Sequence, residues 1–360
     1  MASALPDLSR LRLAEVSVHG DGDESSSESE ELLCPGYNDR ERAAPPAPPR
    51  SRSPLPGYRP KKQKRPPPLR DTVLDFSFEN PLDGKFKDLG AVKSMLERYP
   101  NYVFQRGTSY CHYGRTYRKR TVFVTTIEGF TPTLPCPSRG RGEPGKSQRC
   151  QYLLQGGHGA QHERQVTSCR QAEKNSIPEA LCLQLLQAWM DQNPDDDLPL
   201  EDPRKRKYIV VDCFAGWGSL KHALRVATDC PEGGFWSHDP DDPRWQRIKL
   251  FENDLASGRA GGANMELDMS FFGPFTLLSM AIRRFWSLDD SEDPVTWCMQ
   301  NNARVLFHCS TPCETYSTNG LAVHRKGETM EPASEKAIEH DEMNRKIIRA
   351  FEAAILSKRK

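Results

Sequence analysis

The chain has 360 residues, with 50 Lys and Arg against 49 Asp and Glu, a net charge of +1 and 36% hydrophobic residues. It contains no apolar run long enough for a transmembrane helix, and its first residues lack the apolar core of a secretory signal. Its 11 cysteines are irregularly spaced, which fits a reducing compartment better than a disulfide framework. These features predict a soluble intracellular protein.

Residues 1–70 differ in composition from the rest of the chain. They hold 12 of the 29 prolines, an acidic, serine-rich stretch at 21–31 and a basic stretch at 50–70. Such a segment cannot bury enough apolar surface to offset the entropy cost of ordering, so we predict a disordered leader. The cluster from Lys61 to Arg65 is typical of a nuclear localisation signal or a nucleic-acid tether, and equally of a solubilising linker.

From residue 71 the sequence predicts folded structure. A strand at 72–78 ends at Glu79-Asn80-Pro81, a short helix follows at 84–98, and a second strand lies at 121–126. Residues 131–170 are rich in Gly, Arg, Gln and Cys without periodicity, which indicates loop or a small irregular region. Ser176 and Glu179 have the spacing of a capping box for the helix that follows.

The second half alternates strands and helices. The apolar run at 208–212 predicts a buried strand, followed by a glycine-bearing turn, a helix at 219–228, strands at 248–254 and 303–310, and a C-terminal helix at 337–357. This alternation predicts an α/β fold with a parallel, Rossmann-like sheet.

The turn DCFAGWG at 212–218 lies between a buried strand and a helix. Glycines there let a ligand approach the backbone, and the acid with no third glycine favours a nucleoside such as S-adenosylmethionine over a pyrophosphate. Asp254, after the next strand, is the candidate for the ribose hydroxyls, with Asp239 as its rival. Asp268 is a candidate for the adenine edge, or else a helix cap or turn residue. The turn itself contributes Asp212, Phe214, Gly216 and Gly218.

Three further motifs carry candidate chemistry. Cys313 follows a strand within STPCETYS, where a helix dipole or a cation would favour the nucleophilic thiolate; a small buried cysteine is the alternative. Glu79 ends a strand, where a buried carboxyl would donate to a ring nitrogen, unless the segment is an ordinary turn. Residues 110–121 interleave four cations with three tyrosines, a pattern that suits phosphate contacts and base stacking, or a solvated basic hairpin.

Together these motifs resemble the DNA cytosine carbon-5 methyltransferases. DCFAGWG is similar to the family's cofactor turn, STPCETYS to its nucleophile loop, Glu-Asn-Pro to its carboxyl motif and, loosely, residues 117–120 to its basic motif. Scattered blocks between residues 72 and 357 carry the resemblance. Thr311 departs from it, because the family has a proline there.

The resemblance implies an enzyme that uses S-adenosylmethionine to methylate DNA. Cys313 would attack carbon 6 of a flipped cytosine, and Glu79 would hydrogen-bond ring nitrogen 3. Arg118 or Arg120 would hold the base carbonyl or a phosphate. Two alternatives stay open: an RNA cytosine methyltransferase, and an inactive relative kept as a nucleic-acid-binding or scaffold protein.

The motif order differs from the family's usual order, because the carboxyl and basic motifs precede the cofactor turn. A circular permutation explains this, with the C-terminal helix originally joined to the strand at 72; a gene model spanning two adjacent copies would give the same order. The chain then divides into a leader (1–70), the permuted C-terminal half of the sheet (71–130), a candidate target-recognition region (131–175) and the cofactor and nucleophile half (176–360).

The candidate target-recognition region also contains metal-ligating residue types. Cys136, Cys150, His158 and His162 lack the closely spaced cysteine pair that marks a structural zinc site, so the sequence assigns no metal. Three arginines of the region are candidate DNA contacts, with a polar surface loop as the alternative: Arg139, Arg141 and Arg149.

Overall fold

The computed structural model describes residues 73–136, 149–155, 158–161, 176–194, 199, 202, 204–214, 218–229, 241–253, 273–289, 291–311, 315–316, 323–326 and 331–357. All of them belong to one unit, Lys64–Lys360. The strands are β1 (Leu74–Pro81), β2 (Phe104–Ser109), β3 (Arg120–Thr125), β4 (Arg149–Gln155), β5 (His158–Gln161), β6 (Lys207–Asp212), β7 (Ile248–Glu252), β8 (Ala303–Cys309), β9 (Arg325–Lys326) and β10 (Glu331–Pro332). The α-helices are α1 (Gly90–Arg98), α2 (Glu179–Gln192), α3 (Ser219–Asp229), α4 (Arg244–Arg247), α5 (Pro274–Phe285), α6 (Pro294–Gln300) and α7 (Glu335–Ser357).

The main sheet has six strands in the order β2-β3-β1-β8-β6-β7. β1, β8, β6 and β7 run parallel to one another, whereas β3 is antiparallel to both of its neighbours, β1 and β2. The predicted α/β class with a mostly parallel sheet is confirmed. β4 pairs with β5, and β9 with β10, in two separate two-stranded sheets.

Helices cover the main sheet on both faces. Ile209 and Val211 of β6 join a core with α1, α5, α6 and α7, while Tyr208 and Val210 join a second core with α2, α3 and α4. This division follows from the alternation of side chains along a strand. It also explains why the centre of β6 is a continuous apolar run, because both of its faces are buried.

Helix α7 packs across two neighbouring strands. Phe351 of α7 stacks on Phe76 of β1, with 4.5 Å between ring centroids, and lies 5.6 Å from Phe307 of β8. The C-terminal helix therefore covers the parallel pair β1 and β8, which come from opposite ends of the folded sequence.

Most predicted elements are present, with three corrections. The helix predicted at 84–98 begins only at Gly90, because the chain turns after β1 and forms a 3-10 turn at Phe86–Asp88. The capping box is wrong: the N-cap of α2 is Pro178 without a side-chain bond, and the Ser176 hydroxyl contacts Arg115 instead. The strand predicted at 248–254 ends at Glu252.

Several elements were not predicted: β2, the β4–β5 and β9–β10 pairs, α4, α5 and α6. Within the part of the chain that the structure describes, no helix combines the length and apolar character needed to cross a membrane.

Candidate active site

Three predicted motifs meet at one edge of the main sheet. Glu79 lies near the end of β1, Thr311 follows the end of β8, and Asp212 ends β6. These three strands are parallel neighbours, so their carboxyl ends share an edge. The chain leaves β6 for β7 on one side, while β8 lies on the other. Open α/β sheets form a ligand crevice where the connections diverge in this way.

Glu79 is buried and contacts two side chains of the basic block, the name used here for residues 110–121. Its side chain is only 7% exposed, and its Oε1 accepts a hydrogen bond from the Tyr110 hydroxyl at 3.0 Å. The Lys119 ammonium lies 3.7 Å from the same oxygen and 4.8 Å from the centre of the Tyr110 ring. Neither contact uses Oε2, so this arrangement orients the carboxyl group and leaves its second oxygen for another partner.

Tyr110 is a hydrogen-bond donor rather than an acid at this position. Burial raises the pKa of its hydroxyl well above the usual range, and the neighbouring Glu79 charge raises it further. The proton therefore stays on Tyr110 across the physiological range, and the bond to Glu79 persists.

The segment before Cys313 is tied to the Glu79 motif. Asn80 donates from Nδ2 to the Thr311 hydroxyl at 3.0 Å and to the Glu79 carbonyl at 2.7 Å, and all three residues are buried. The Thr311 hydroxyl thus accepts a buried hydrogen bond at the position where the resembled family has a proline.

Replacing Thr311 by valine is expected to lower the free energy of unfolding by about 1–3 kcal/mol, because it removes the acceptor of a buried amide. Serine, which keeps the hydroxyl and loses a methyl group, is expected to cost about 0.8 kcal/mol. Urea denaturation of both variants measures the difference. A valine variant as stable as the native chain would contradict a stabilising role for this hydrogen bond.

The segment after Cys313 is tied to the same turn. The Tyr316 carbonyl accepts a hydrogen bond from the Lys85 N–H at 2.9 Å. The backbone approaches so closely that a Cβ on Gly84 would lie 2.8 Å from that carbonyl oxygen, which requires glycine there. Both flanks of Cys313 are thus attached to the chain that follows Glu79.

A buried ion pair holds the downstream flank against α7. Arg325 makes two contacts of 2.7 Å with the Asp341 carboxylate, and its Nε donates to the Thr315 carbonyl at 3.1 Å. The Tyr316 hydroxyl donates to Asp341 at 2.6 Å. The arrangement is bidentate and charge-assisted, the geometry in which an arginine–carboxylate pair is strongest.

His308 lies in β8 between the two motif strands, in register with Ser77 of β1 and Asp212 of β6. Burial lowers its pKa to about 4, although the Glu79 charge acts in the opposite direction. Its Nε2 lies 3.1 Å from the Ser310 hydroxyl. His308 is therefore neutral at pH 7 and adds no positive charge to this edge.

The predicted cofactor turn begins at the end of β6, and its described residues are Asp212, Cys213, Phe214 and Gly218. Asp212 is buried and in register with Glu252, and its carbonyl accepts from the Asn253 N–H at 2.9 Å. The side-chain Nδ2 of Asn253 is buried without a hydrogen-bond partner among the described residues. Phe214 is also buried. This buried donor is therefore a candidate contact for a polar ligand.

Gly218 closes the turn in the left-handed region, with φ +65°. A Cβ there would lie 3.2 Å from Oε1 of Glu252. Glu252, which sequence analysis did not single out, also pairs with Lys221 at 3.2 Å. Its signal is positional, because it is the last residue of the strand next to β6.

The cations of the basic block contact different residues. Arg120 lies 3.2 Å from Asp83 near the surface, and Arg115 contacts Ser176 and Glu179. Arg118 is half-buried. Lys119, not one of the two predicted arginines, is the block's cation beside Glu79.

Some predicted site residues lie outside the described residues: Cys313, Gly216, Asp254, Asp268, Asp239, Arg139, Arg141 and His162. Arg149 and His158 lie in the β4–β5 pair, where only the backbone is described.

The cysteines of the candidate target-recognition region meet a third cysteine. The sulfurs of Cys136 and Cys150 are 3.5 Å apart, and Cys111 completes a buried group of three. Ligand atoms of Cys111, His112 and Cys136 all lie within 4.8 Å of one another. Sequence analysis missed Cys111 because it belongs to a different segment, directly after Tyr110.

Comparison with known proteins gives this chain no family. No protein-family model matches it, and no curated protein matches its sequence. The functional inference therefore depends on the residues at the carboxyl edge of the sheet.

Proposed function

We propose that this chain is an S-adenosylmethionine-dependent methyltransferase that acts on carbon 5 of cytosine in DNA. The observation that carries the proposal is the double attachment of the Cys313 segment to the Glu79 segment. Asn80 binds Thr311, two residues before Cys313, and Lys85 binds the Tyr316 carbonyl, three residues after it. Residues more than 200 positions apart in the sequence are joined where a nucleophile and a carboxyl group would have to cooperate.

The sheet supports the interpretation as a Rossmann-like domain in permuted order. β8 and β1 are parallel neighbours, and α7 follows β8 and covers both strands. This is the arrangement of a βαβ crossover in which the link from the helix to the second strand has been cut. Joining α7 to β1 would restore the usual motif order of the resembled family without changing the order of the strands.

In this proposal the Cys313 thiolate adds to carbon 6 of the extruded cytosine, forming a carbon–sulfur bond. The electron pair of the ring double bond moves to carbon 5, while ring nitrogen 3 accepts a hydrogen bond from the Glu79 carboxyl group, which must carry its proton on Oε2 for this step. The bound cofactor would supply an electrophilic methyl group. A water molecule then takes the carbon 5 proton, the electron pair of that C–H bond restores the ring double bond, and the bond to Cys313 breaks with its electron pair returning to sulfur.

The residues around the cofactor turn fit a nucleoside. Among the described residues the buried Nδ2 of Asn253 has no hydrogen-bond partner, so it can donate to a polar ligand, and Gly218 lets the chain adopt the left-handed backbone that closes the turn beside Glu252. Glu252 joins Asp254 and Asp239 as a candidate for the ribose hydroxyls, because it ends the strand beside Asp212. Phe214 and Gly216 remain candidates from the turn itself.

The test uses the full chain with methyl-labelled S-adenosylmethionine and separate samples of duplex DNA, single-stranded DNA and RNA. We expect label at carbon 5 of cytosine in DNA, and an adduct with 5-fluorocytosine DNA that survives denaturation. Label in RNA alone would replace the DNA substrate by RNA. Cofactor binding without transfer to any nucleic acid would overturn the enzyme proposal in favour of a scaffold.

Replacing Lys119 by methionine is expected to lower kcat about tenfold or more, equivalent to about 1.4 kcal/mol, because the ammonium helps to orient the Glu79 carboxyl group. Arg120→Met is the matched control at the neighbouring position, since that cation pairs with Asp83. Steady-state methyl transfer measures both variants. A larger loss with Arg120→Met would contradict the role of Lys119 and favour Arg120, one of the two arginines that the sequence proposed for contact with the base or a phosphate.

A further inference from the structure

We propose that Cys111, His112, Cys136 and Cys150 bind one zinc ion in a closed structural site. The four residues come from three segments: the 3-10 turn after β2, the chain after β3, and the start of β4. The fold, rather than their spacing in the sequence, brings the three cysteines into one buried cluster, with His112 close to Cys111 and Cys136. The proposal is independent of methyl transfer.

The distances fit ligands of a single ion. A tetrahedral zinc with bonds of about 2.3 Å to sulfur places two sulfur ligands about 3.8 Å apart. The Cys136 and Cys150 sulfurs are 3.5 Å apart, and the ligand atoms of Cys111, His112 and Cys136 lie within 4.8 Å of one another. A disulfide needs about 2.05 Å between two sulfurs and would leave the third cysteine and the histidine unused.

A metal ion at these cysteines would stabilise the segments that carry them by linking them together. Cys111, Cys136 and Cys150 form a buried cluster of their own, separate from the two large apolar cores on either face of the sheet. The β4–β5 pair is a two-stranded sheet, and such pairs are marginally stable by themselves. The Cys136 N–H donates a hydrogen bond to the Ser109 hydroxyl at 2.9 Å, which connects the chain after β3 to the end of β2. Three thiolate bonds would attach both segments firmly.

The donor set selects the metal. Three cysteines and one histidine are one of the standard combinations for structural zinc, and thiolates with imidazole disfavour magnesium and calcium, which prefer oxygen. Cys111 directly follows Tyr110, so a zinc ion here would also fix the turn that presents the Tyr110 hydroxyl to Glu79. The site is thus structural, but it borders the candidate active site.

Elemental analysis of the full chain, expressed with added zinc and purified without chelator, tests the proposal. We expect about one zinc per chain, falling at least about tenfold in Cys111→Ser, Cys136→Ser and Cys150→Ser. Cys298→Ser, at a buried cysteine of α6, is the matched control and should retain the metal. Cobalt(II) substituted into the native chain should give the absorption of a tetrahedral thiolate site.

The cobalt spectrum and the native zinc content remain informative if the serine variants fail to fold. A native chain with less than about 0.1 zinc and no thiolate–cobalt absorption would overturn the proposal. Full zinc content in Cys111→Ser would do the same. So would a Cys136–Cys150 disulfide, detected as a mass two hydrogens lower before reduction. Iron in place of zinc would contradict the choice of metal.

Discussion

Replacing Cys313 by alanine is expected to lower methyl transfer to DNA by at least about 1,000-fold while leaving the affinity for S-adenosylmethionine unchanged. The reason is that covalent attack on carbon 6 has no substitute once the thiolate is removed. Single-turnover transfer and cofactor binding by calorimetry separate the two quantities. Cys298→Ala, in the helix that precedes β8, controls for the loss of a buried thiol and should retain full activity.

Covalent trapping makes the Cys313 result specific. The native chain should form a denaturation-resistant adduct with 5-fluorocytosine DNA, and the alanine variant should form none. If the variant still transfers methyl groups within tenfold of the native rate, the nucleophile is another residue, and the proposed mechanism is wrong. If it loses cofactor affinity as well, the effect is structural.

Removing one partner of the Arg325–Asp341 pair is expected to cost about 3–5 kcal/mol of the free energy of unfolding, because the other charge stays buried without compensation. The Arg325 side chain is fully buried and that of Asp341 is 7% exposed. Arg325→Ala and Asp341→Asn should both show the loss in urea denaturation. Thr315 and Tyr316 would lose their anchor, so the thiol of Cys313 should also become more accessible to alkylating reagents in the folded variant.

The chain offers a matched control for this pair. Arg345 lies 3.9 Å from the same Asp341 carboxylate, but its side chain is 54% exposed. An exposed ion pair contributes about 0–1 kcal/mol, so Arg345→Ala should change stability little. Similar losses for Arg345→Ala and Arg325→Ala would contradict the assignment of stability to the buried contact.

The strands beneath the candidate site were largely predictable, because burial on both faces produces continuous apolar runs. YIVV in β6 and VLF in β8 are such runs, and both strands are central in the sheet. β2 was missed because FQRGTS is only partly buried and has no alternation. α5 carried a usable signal that was overlooked: Pro274 begins the helix, and Leu277, Leu278, Ala281 and Ile282 are buried with helical spacing.

The candidate site was predicted less completely than the sheet, because tertiary contacts choose among similar side chains. A row of cations at 115–120 gave no means of distinguishing Lys119, which faces Glu79, from Arg120, which faces Asp83. Glu252 was missed because the strand was expected to continue to residue 254. Cys111 was separated in sequence from the cysteines that it meets, so spacing rules for metal sites could not find it.

The strand order determines how late in synthesis the main sheet can form. β1 lies in the middle of the sheet, and its parallel partner β8 begins about 180 residues after β3 ends. At about 5–20 residues per second, a ribosome needs about 9–36 s to deliver that partner. Throughout this interval the nascent β1–β3 segment has an unpaired edge on β1, the kind of edge on which β-strands aggregate. The main sheet can form only after β8 has been synthesised, so we expect the protein's yield to depend on protecting this edge.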